Sequence, residues 1–393
     1  MTHKRYTGAV SEMLKDRNIG IYIHIPFCIR KCNYCDFPSF PGMDAIFGDY
    51  TRALCTEIEA VSEKYPDVTV DTVFFGGGTP SVLPASHISG IIDALSGNFN
   101  VSENAEISIE VNPGTVTQEK AETYRKLGFN RISIGLQSAC NNLLKFMGRI
   151  HTTEMFEECI ELVKKSGFSN INADVIFGIP NQTMEDWQKT IELVLKKGVT
   201  HVSCYSLKIE EGTPWYELNE EGKLLPADED LEREMYYWAI KRLSDAGFKH
   251  YEISNFAKTG YQCRHNLKYW TCKPYIGFGA AAHSYIDDTR YSNTEKPSEY
   301  IDRINEGKSP VVMSEYIGPD EKLSERFILG LRLIDGVDLR QTEQVFGKEA
   351  LEKYNEKIKM LTERRLVYIE NGKLKLTKKG LDFANQVWLE FIM

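Results

Sequence analysis

No stretch of the sequence approaches 18 consecutive apolar residues, so no membrane-spanning helix is expected. The opening residues, MTHKRYTGAVSEMLKDRNIG, lack the apolar core of a signal peptide. Positive charge is in deficit: 47 Lys and Arg against 56 Asp and Glu leave a net charge of -9. A basic face for nucleic acid or an anionic bilayer is therefore not expected. Neither an internal repeat nor a low-complexity segment is visible. An even, spread set of cysteines is also missing. There are nine, three of them crowded between positions 28 and 35. That excludes a disulfide scaffold and points to a reducing compartment with a metal site. These absences describe a cytoplasmic protein without a stable membrane anchor.

What is present is a chain of 393 residues, long enough for a barrel and an appendage. Between Ile19 and Leu207 short apolar, β-branched runs alternate with helical stretches. The strand candidates are IGIYIHI (19–25), DTVFFGG (71–77), EISIEVN (106–112), RISIGLQ (131–137), INADVIF (171–177) and HVSCYSL (201–207). Strands alternating with helices imply right-handed crossovers and a parallel sheet. Six units fall short of an eight-unit barrel, so the expected fold is α/β, a partial (β/α)6 TIM-like barrel spanning 1–225. A barrel extension follows over 226–308. A small winged-helix-like domain over 309–393 ends the chain, with Asn371-Gly372 as a type I′ hairpin turn. That last region mixes Lys and Glu, which suits a packing domain or a lid over the barrel mouth better than a DNA reader.

Cys28, Cys32 and Cys35 follow directly on the first strand, at the end where barrel loops carry chemistry. Three thiolates spaced CxxxCxxC can hold three irons of a cubane and leave the fourth iron open to a chelating cofactor. A structural zinc site would want a fourth ligand, and no Cys or His stands at the usual spacing. Unrelated buried cysteines are the other alternative. Later strands end in polar residues where a buried sheet would be apolar: Glu110, Gln137 and Asp174, with Arg149 after the fourth strand. Each alone could be a hydrogen-bonded core residue or a helix cap. Together they describe a ring at one barrel face.

CxxxCxYC, read with YIHIPFC and FFGGGTPS, resembles the radical S-adenosylmethionine superfamily. Within it the chain is similar to the branch of oxygen-independent coproporphyrinogen III oxidase and its paralogues, the HemW heme chaperones. The resemblance implies a 4Fe-4S cluster on the three cysteines and S-adenosyl-L-methionine on its open iron. It implies that Gly77, Gly78 and Thr79 hold the cofactor's amino group. Glu110, Gln137, Arg149 and Asp174 would meet its methionine and ribose parts, Tyr22 would approach the methionine moiety, and Tyr34 would lie near the adenine. The implied chemistry is one-electron, carried by the cofactors while the protein positions and shields them.

Three features divide chaperone from oxidase. Phe37 stands where the oxidase branch has a fourth cysteine. Only 27 residues precede Cys28, leaving little room for the oxidase's enclosing N-terminal segment. His265-Asn266-Leu267-Lys268-Tyr269-Trp270 is an HNxxYW pattern resembling the chaperones' proposed heme signature. There His265 would offer an iron ligand, and Tyr269 and Trp270 flat apolar area. The alternative is that His265 bridges buried backbone while the aromatics pack beneath the barrel. Cys263 and His250 are competing ligands, and His283 is expected near the cofactor pocket. The resemblance favours a chaperone that binds heme and passes it to apo-heme proteins, those of the respiratory chain foremost, as a monomer or dimer. The alternative is a coproporphyrinogen dehydrogenase or a radical enzyme with another substrate.

Overall fold

The computed structural model describes residues 18–392, so the opening segment on which part of the chaperone–oxidase distinction rests lies largely outside the described residues. Six strands form its centre: β1 (Asn18–Ile25), β2 (Thr69–Gly77), β3 (Asn100–Val111), β4 (Arg131–Gln137), β5 (Asn170–Phe177) and β6 (His201–Ser206). Each pairs in parallel with the next. The crossovers are α1 (Phe47–Ser62), α2 (Ala85–Asn98), α3 (Gln118–Lys126), α4 (Thr153–Lys165) and α5 (Met184–Lys196). Local chemistry starts the later helices sharply. Thr117, Thr152 and Thr183 each accept a backbone N–H at a helix start, and Thr183 forms a reciprocal box with Asp186.

The strands bury both faces in different ways. On the outer face Ile21, Ile23, Val73, Ile109, Ile132, Ile134, Val175 and Val202 join the helices in one continuous apolar core. The alternate, inward positions are largely polar: Glu106, Ser108 and Glu110 on β3, Arg131 and Ser133 on β4, Asn172 and Asp174 on β5, His201 and Ser203 on β6. The expectation of polar residues only at strand ends was too narrow. From β3 to β6 the lumen is polar well below the strand ends, with Gly135 and Ile176 as the breaks near the mouth.

The sheet also grows past both edges of the barrel. β7 (Lys249–Glu252) and β8 (Asn255–Ala257) follow α6 (Glu229–Asp245), and β8 runs antiparallel beside β6. After α7 (Arg264–Trp270), β9 (Tyr275–Phe278) lies parallel to β1. β10 (His283–Ile286), β11 (Thr289–Asn293) and β12 (Val311–Tyr316) continue it antiparallel, making a twelve-stranded open sheet. β9 was not anticipated, because four residues interrupted by Gly277 show no strand periodicity. A carboxylate ties this extension to the barrel. Glu57 of α1 accepts from the Tyr300 hydroxyl at 2.6 Å, the Asn293 amide at 2.7 Å and the Gly279 N–H at 2.9 Å.

The remaining chain forms a second apolar core around Leu323, Phe327, Tyr354, Leu361, Leu374 and Phe391. α8 (Pro319–Gly330) leads into it, and β13 (Val337–Asp338), β14 (Val367–Glu370) and β15 (Lys373–Leu376) make its small sheet. Asn371 and Gly372 have φ of 53° and 80°, as a type I′ turn requires. This region docks by Arg332, whose guanidinium stacks 4.2 Å from the Trp270 ring centre and 5.4 Å from that of Trp388. None of its described residues lines the cavity at the barrel mouth, whose wall runs over residues between 28 and 210. Among the described residues no helix is long and apolar enough to cross a membrane.

Candidate functional site

The loop after β1 is fixed by backbone contacts on three sides. Phe27 and Cys28 pair with Phe40 and Pro41. Asn33 donates its N–H to the Met147 carbonyl at 3.0 Å and its amide to Phe146 at 3.0 Å, while its own carbonyl takes the Trp215 N–H at 3.0 Å. Cys28, Cys32 and Cys35 are all half-buried, unpaired and on the wall of one cavity of about 380 Å³. Burial pushes the Cys28 and Cys35 thiols above the usual range. Among the described residues no three acidic, histidine or cysteine side chains converge on one ion position. A cubane does not ask for that, because each thiolate binds a different iron. The donor set therefore fits a cluster. Arg149 adds a guanidinium N–H 3.6 Å from the Cys32 sulfur, a contact that would stabilise a thiolate.

Around this loop the structure gathers most of the residues singled out by sequence. Tyr34, Gly77, Gly78, Thr79, Glu110, Gln137, Arg149 and Asp174 all line the cavity. The glycine run packs against the chain itself. Gly77 has φ of +112°, and a Cβ there would stand 2.6 Å from the His24 ring. A Cβ on Gly78 would stand 2.6 Å from the Phe27 carbonyl oxygen. The N–H groups of Gly78 and Thr79 are already given to Ile25 and Phe27, at 2.9 and 2.8 Å. The run thus seats the strand end against the root of the cysteine loop. The His24 ring at Gly77 and the Phe27 backbone at Gly78 each leave no room for a side chain.

Glu110 faces Asp174 across the lumen. Burial, with the Asp174 charge behind it, pushes the Glu110 carboxyl up to about 8. Asp174 is held at both oxygens, by the Ser133 hydroxyl at 2.7 Å and the Asn172 amide at 2.8 Å. Gln137 closes β4 with φ of 65° at an irregularity in the register, a strained position for a residue with a side chain. The Arg149 guanidinium reaches the Asn112 side-chain oxygen at 2.5 Å and the Gly135 carbonyl at 3.0 Å. Tyr34 packs on Trp215, ring centres 5.9 Å apart.

Sequence reasoning missed four partners here. Asn112 bridges Arg149 and the Thr79 hydroxyl, the latter at 2.8 Å. His151 accepts from Arg149 at 3.4 Å. His24 donates its Nε2–H to the Pro38 carbonyl at 3.1 Å and accepts from the Tyr22 hydroxyl on Nδ1 at 3.0 Å. Ser133 is the fourth. The flanking motifs EVNPG and GRIH were the available signals for Asn112 and His151. Tyr22 is not on the cavity wall. Its ring lies inside the barrel beside Phe74 and His265, at 6.3 and 6.4 Å.

HNxxYW departs furthest from expectation. Helix α7 crosses the floor of the barrel, at the ends of the strands opposite the cysteine loop. Lys268 pairs with Asp71 at 2.7 Å and bonds the Asn18 carbonyl at 3.2 Å. Glu106 accepts the first N–H groups of the helix, from Arg264 at 3.0 Å and His265 at 3.1 Å. His265 is 1% exposed, with its Nδ1 on the Thr72 hydroxyl at 2.9 Å and its Nε2 on the Tyr269 hydroxyl at 2.7 Å. Burial drops its pKa to about 3, so the ring is neutral. As folded, neither nitrogen is open to an iron. Tyr269 stands edge-on to Tyr275 at 4.7 Å, and Trp270 is covered by Arg332. The competing ligands are no freer. Cys263 is fully buried with its thiol on Glu106, and His250 stacks on Phe256 and bonds the Ile253 carbonyl. His283 is exposed on β10, off the cavity wall.

Comparison with known proteins agrees with this architecture. The sequence profile of the radical SAM superfamily matches residues 22–194, and that of the HemN C-terminal domain matches residues 317–383. The protein named heme chaperone HemW in Synechocystis is 36% identical over 94% of this chain and 86% of its own length. Its namesake in Bacillus subtilis is 33% identical over 94% of this chain and 98% of its own. Coproporphyrinogen III oxidase (HemN) of Escherichia coli, a radical SAM enzyme, superposes with a TM-score of 0.85 over the whole chain and 93% of its own, at 22% identity. At that identity the likeness is one of fold.

Proposed function

The chain belongs to the HemW family of the radical S-adenosylmethionine superfamily, and from that premise we propose that it is a heme chaperone. It holds a 4Fe-4S cluster on Cys28, Cys32 and Cys35, takes S-adenosyl-L-methionine beside Glu110, Gln137, Arg149 and Asp174, and delivers heme to apo-proteins. When bound, cluster and cofactor supply one-electron chemistry. The protein's own part is to hold the thiols on one loop, to donate from Arg149 toward Cys32, and to keep Glu110 and Asp174 apart across the lumen. In this reading residues 1–225 carry the cofactor site, 226–308 close its floor and 309–393 brace it from outside. The protein works in the cytoplasm as a monomer or dimer, and respiratory-chain apo-proteins are its acceptors.

One observation carries the reading. The cavity mouth has an apolar rim, with Ile29, Phe37, Ile150 and Tyr205 exposed by 57, 61, 50 and 40%. Arg30, Lys31 and Lys208 stand on the same wall, together with Asp36 and Glu210. A flat apolar ring system bearing carboxylates suits such a rim. Of the HNxxYW residues, His265 and Lys268 are buried and the other four half-buried, so none is as open as this rim. Phe37, where the oxidase branch has a cysteine, is the most exposed of the four.

The test is a heme titration of the reconstituted protein, alongside an assay with coproporphyrinogen, reductant and S-adenosyl-L-methionine. Stoichiometric heme binding that weakens in Phe37→Ser, without oxidative decarboxylation, is the expected result. Decarboxylation at enzymatic rates would overturn the chaperone reading.

A further inference from the structure

The lumen between floor and mouth contains one hydrogen-bond chain whose direction is set at every link. The Asn172 amide nitrogen donates to Asp174 Oδ1 at 2.8 Å and to the Ser133 hydroxyl at 2.6 Å. Ser133 in turn donates to Asp174 Oδ2 at 2.7 Å. The Asn172 oxygen is thereby the acceptor for His201 Nδ1, 2.6 Å away, which fixes the His201 tautomer with its proton on Nδ1. His201 Nε2 must then accept, and the Tyr251 hydroxyl donates to it at 2.8 Å. The Tyr251 oxygen accepts the Cys263 N–H at 3.3 Å. Cys263 is the residue that caps the start of α7. Asn172, Ser133 and Ser203 are buried and His201 is fully so, which shields the middle links from water, while Asp174 and Tyr251 at the two ends are half-buried. Burial also holds His201 neutral, as the chain requires.

We propose that Asn172, His201 and Tyr251 are positioning residues that hold the Asp174 carboxylate at the barrel mouth and tie it to the HNxxYW helix at the floor. This rests on the reading that Asp174 faces the ribose of the bound cofactor. It gives the start of that helix, at Cys263, a task that its geometry can perform. The helix start orients Tyr251, Tyr251 orients His201, and the Asn172 amide transmits that orientation to the carboxylate. A carboxylate steered from both oxygens presents its remaining lone pairs in one direction, which two ribose hydroxyls can meet.

Equilibrium binding of S-adenosyl-L-methionine, and of its analogue lacking the ribose hydroxyls, to the full chain with reconstituted cluster tests this. Asp174→Asn should weaken the natural cofactor at least tenfold, and Tyr251→Phe about three- to tenfold. Binding of the analogue should not respond to Tyr251→Phe. A residue that only stabilised the fold would weaken both ligands alike. The double variant should bind as Asp174→Asn does, because Tyr251 acts through Asp174. His201→Asn, which keeps a donor toward Asn172, should retain more affinity than His201→Leu. These two variants answer the question if Tyr251→Phe fails to fold. Wild-type affinity in Tyr251→Phe, or a loss that adds in full to that of Asp174→Asn, would overturn the proposal. If Asp174→Asn itself binds the cofactor normally, the placement of the cofactor falls first, and the positioning role with it.

Discussion

Replacing His265 separates a floor residue from a heme ligand. His265→Ala removes two hydrogen bonds, to Thr72 and Tyr269, from a site that is 1% exposed. Thr72 is itself fully buried and loses its partner. Each stranded group costs on the order of 1–3 kcal/mol. The hole left beside Phe74, whose ring centre is 5.3 Å from that of His265, adds a cavity cost. The sum is about 3 kcal/mol or more, a large fraction of the stability of an ordinary domain. His265→Asn keeps a polar group toward Thr72 and His265→Gln keeps one toward Tyr269, so each should recover part of the loss. The assay is thermal unfolding of all three variants, followed by heme titration of the fraction that remains folded. The reasoning predicts a clear drop in unfolding temperature for His265→Ala, graded by the two amides, with an unchanged heme absorption spectrum per folded molecule. Unfolding like wild type together with an altered heme spectrum would refute it, because the ring would then be serving an iron and not the floor.

Two further outcomes follow from the mouth of the barrel. Anaerobic reconstitution should give about four irons per chain; Cys28→Ala, Cys32→Ala or Cys35→Ala should each abolish the cluster's absorption, while Cys55→Ala leaves it. The second outcome concerns pH. Glu110, raised to about 8 by burial and then by Asp174, is protonated at neutral pH. A sulfonium cation favours its ionised form, so binding expels a proton and affinity should climb as pH rises toward 8, then level off. Glu110→Gln should flatten that profile in equilibrium binding between pH 6 and 9, and a slope that survives the substitution would assign the titration elsewhere.

The parts of this molecule differ in how plainly the sequence announces them, and the reason is physical. The six barrel strands are legible because their outward residues are continuous Ile and Val runs with crossover helices between them. The cysteine triad is legible because its spacing and its place after β1 satisfy the same chemistry twice. Gln137, Glu110 and Asp174 could be picked out because a polar residue beside an apolar run costs energy unless something uses it. The same rule extends deeper into the lumen than strand ends. Asn172, His201 and Ser133 were hidden because each, read alone, is an ordinary interior residue, and only the assembled barrel shows that they form one chain.

HNxxYW shows the opposite limit. A histidine followed by two aromatics on one short helix is what an iron pocket needs, and equally what a plug under a barrel needs. Both ask for a polar ring amid flat apolar surface. Short sequence cannot choose between them, because the choice depends on whether a hydroxyl already stands at each ring nitrogen. Here Thr72 comes from a strand almost two hundred residues away, while Tyr269 lies one helical turn along. With both nitrogens engaged, ligation would require α7 to leave Thr72, Glu106 and Asp71 together. The motif is therefore better understood as the element on which the barrel closes. In the proposed arrangement, the polar chain running from the start of this helix through Tyr251, His201 and Asn172 carries a displacement of the helix to the Asp174 carboxylate on the far side of the lumen.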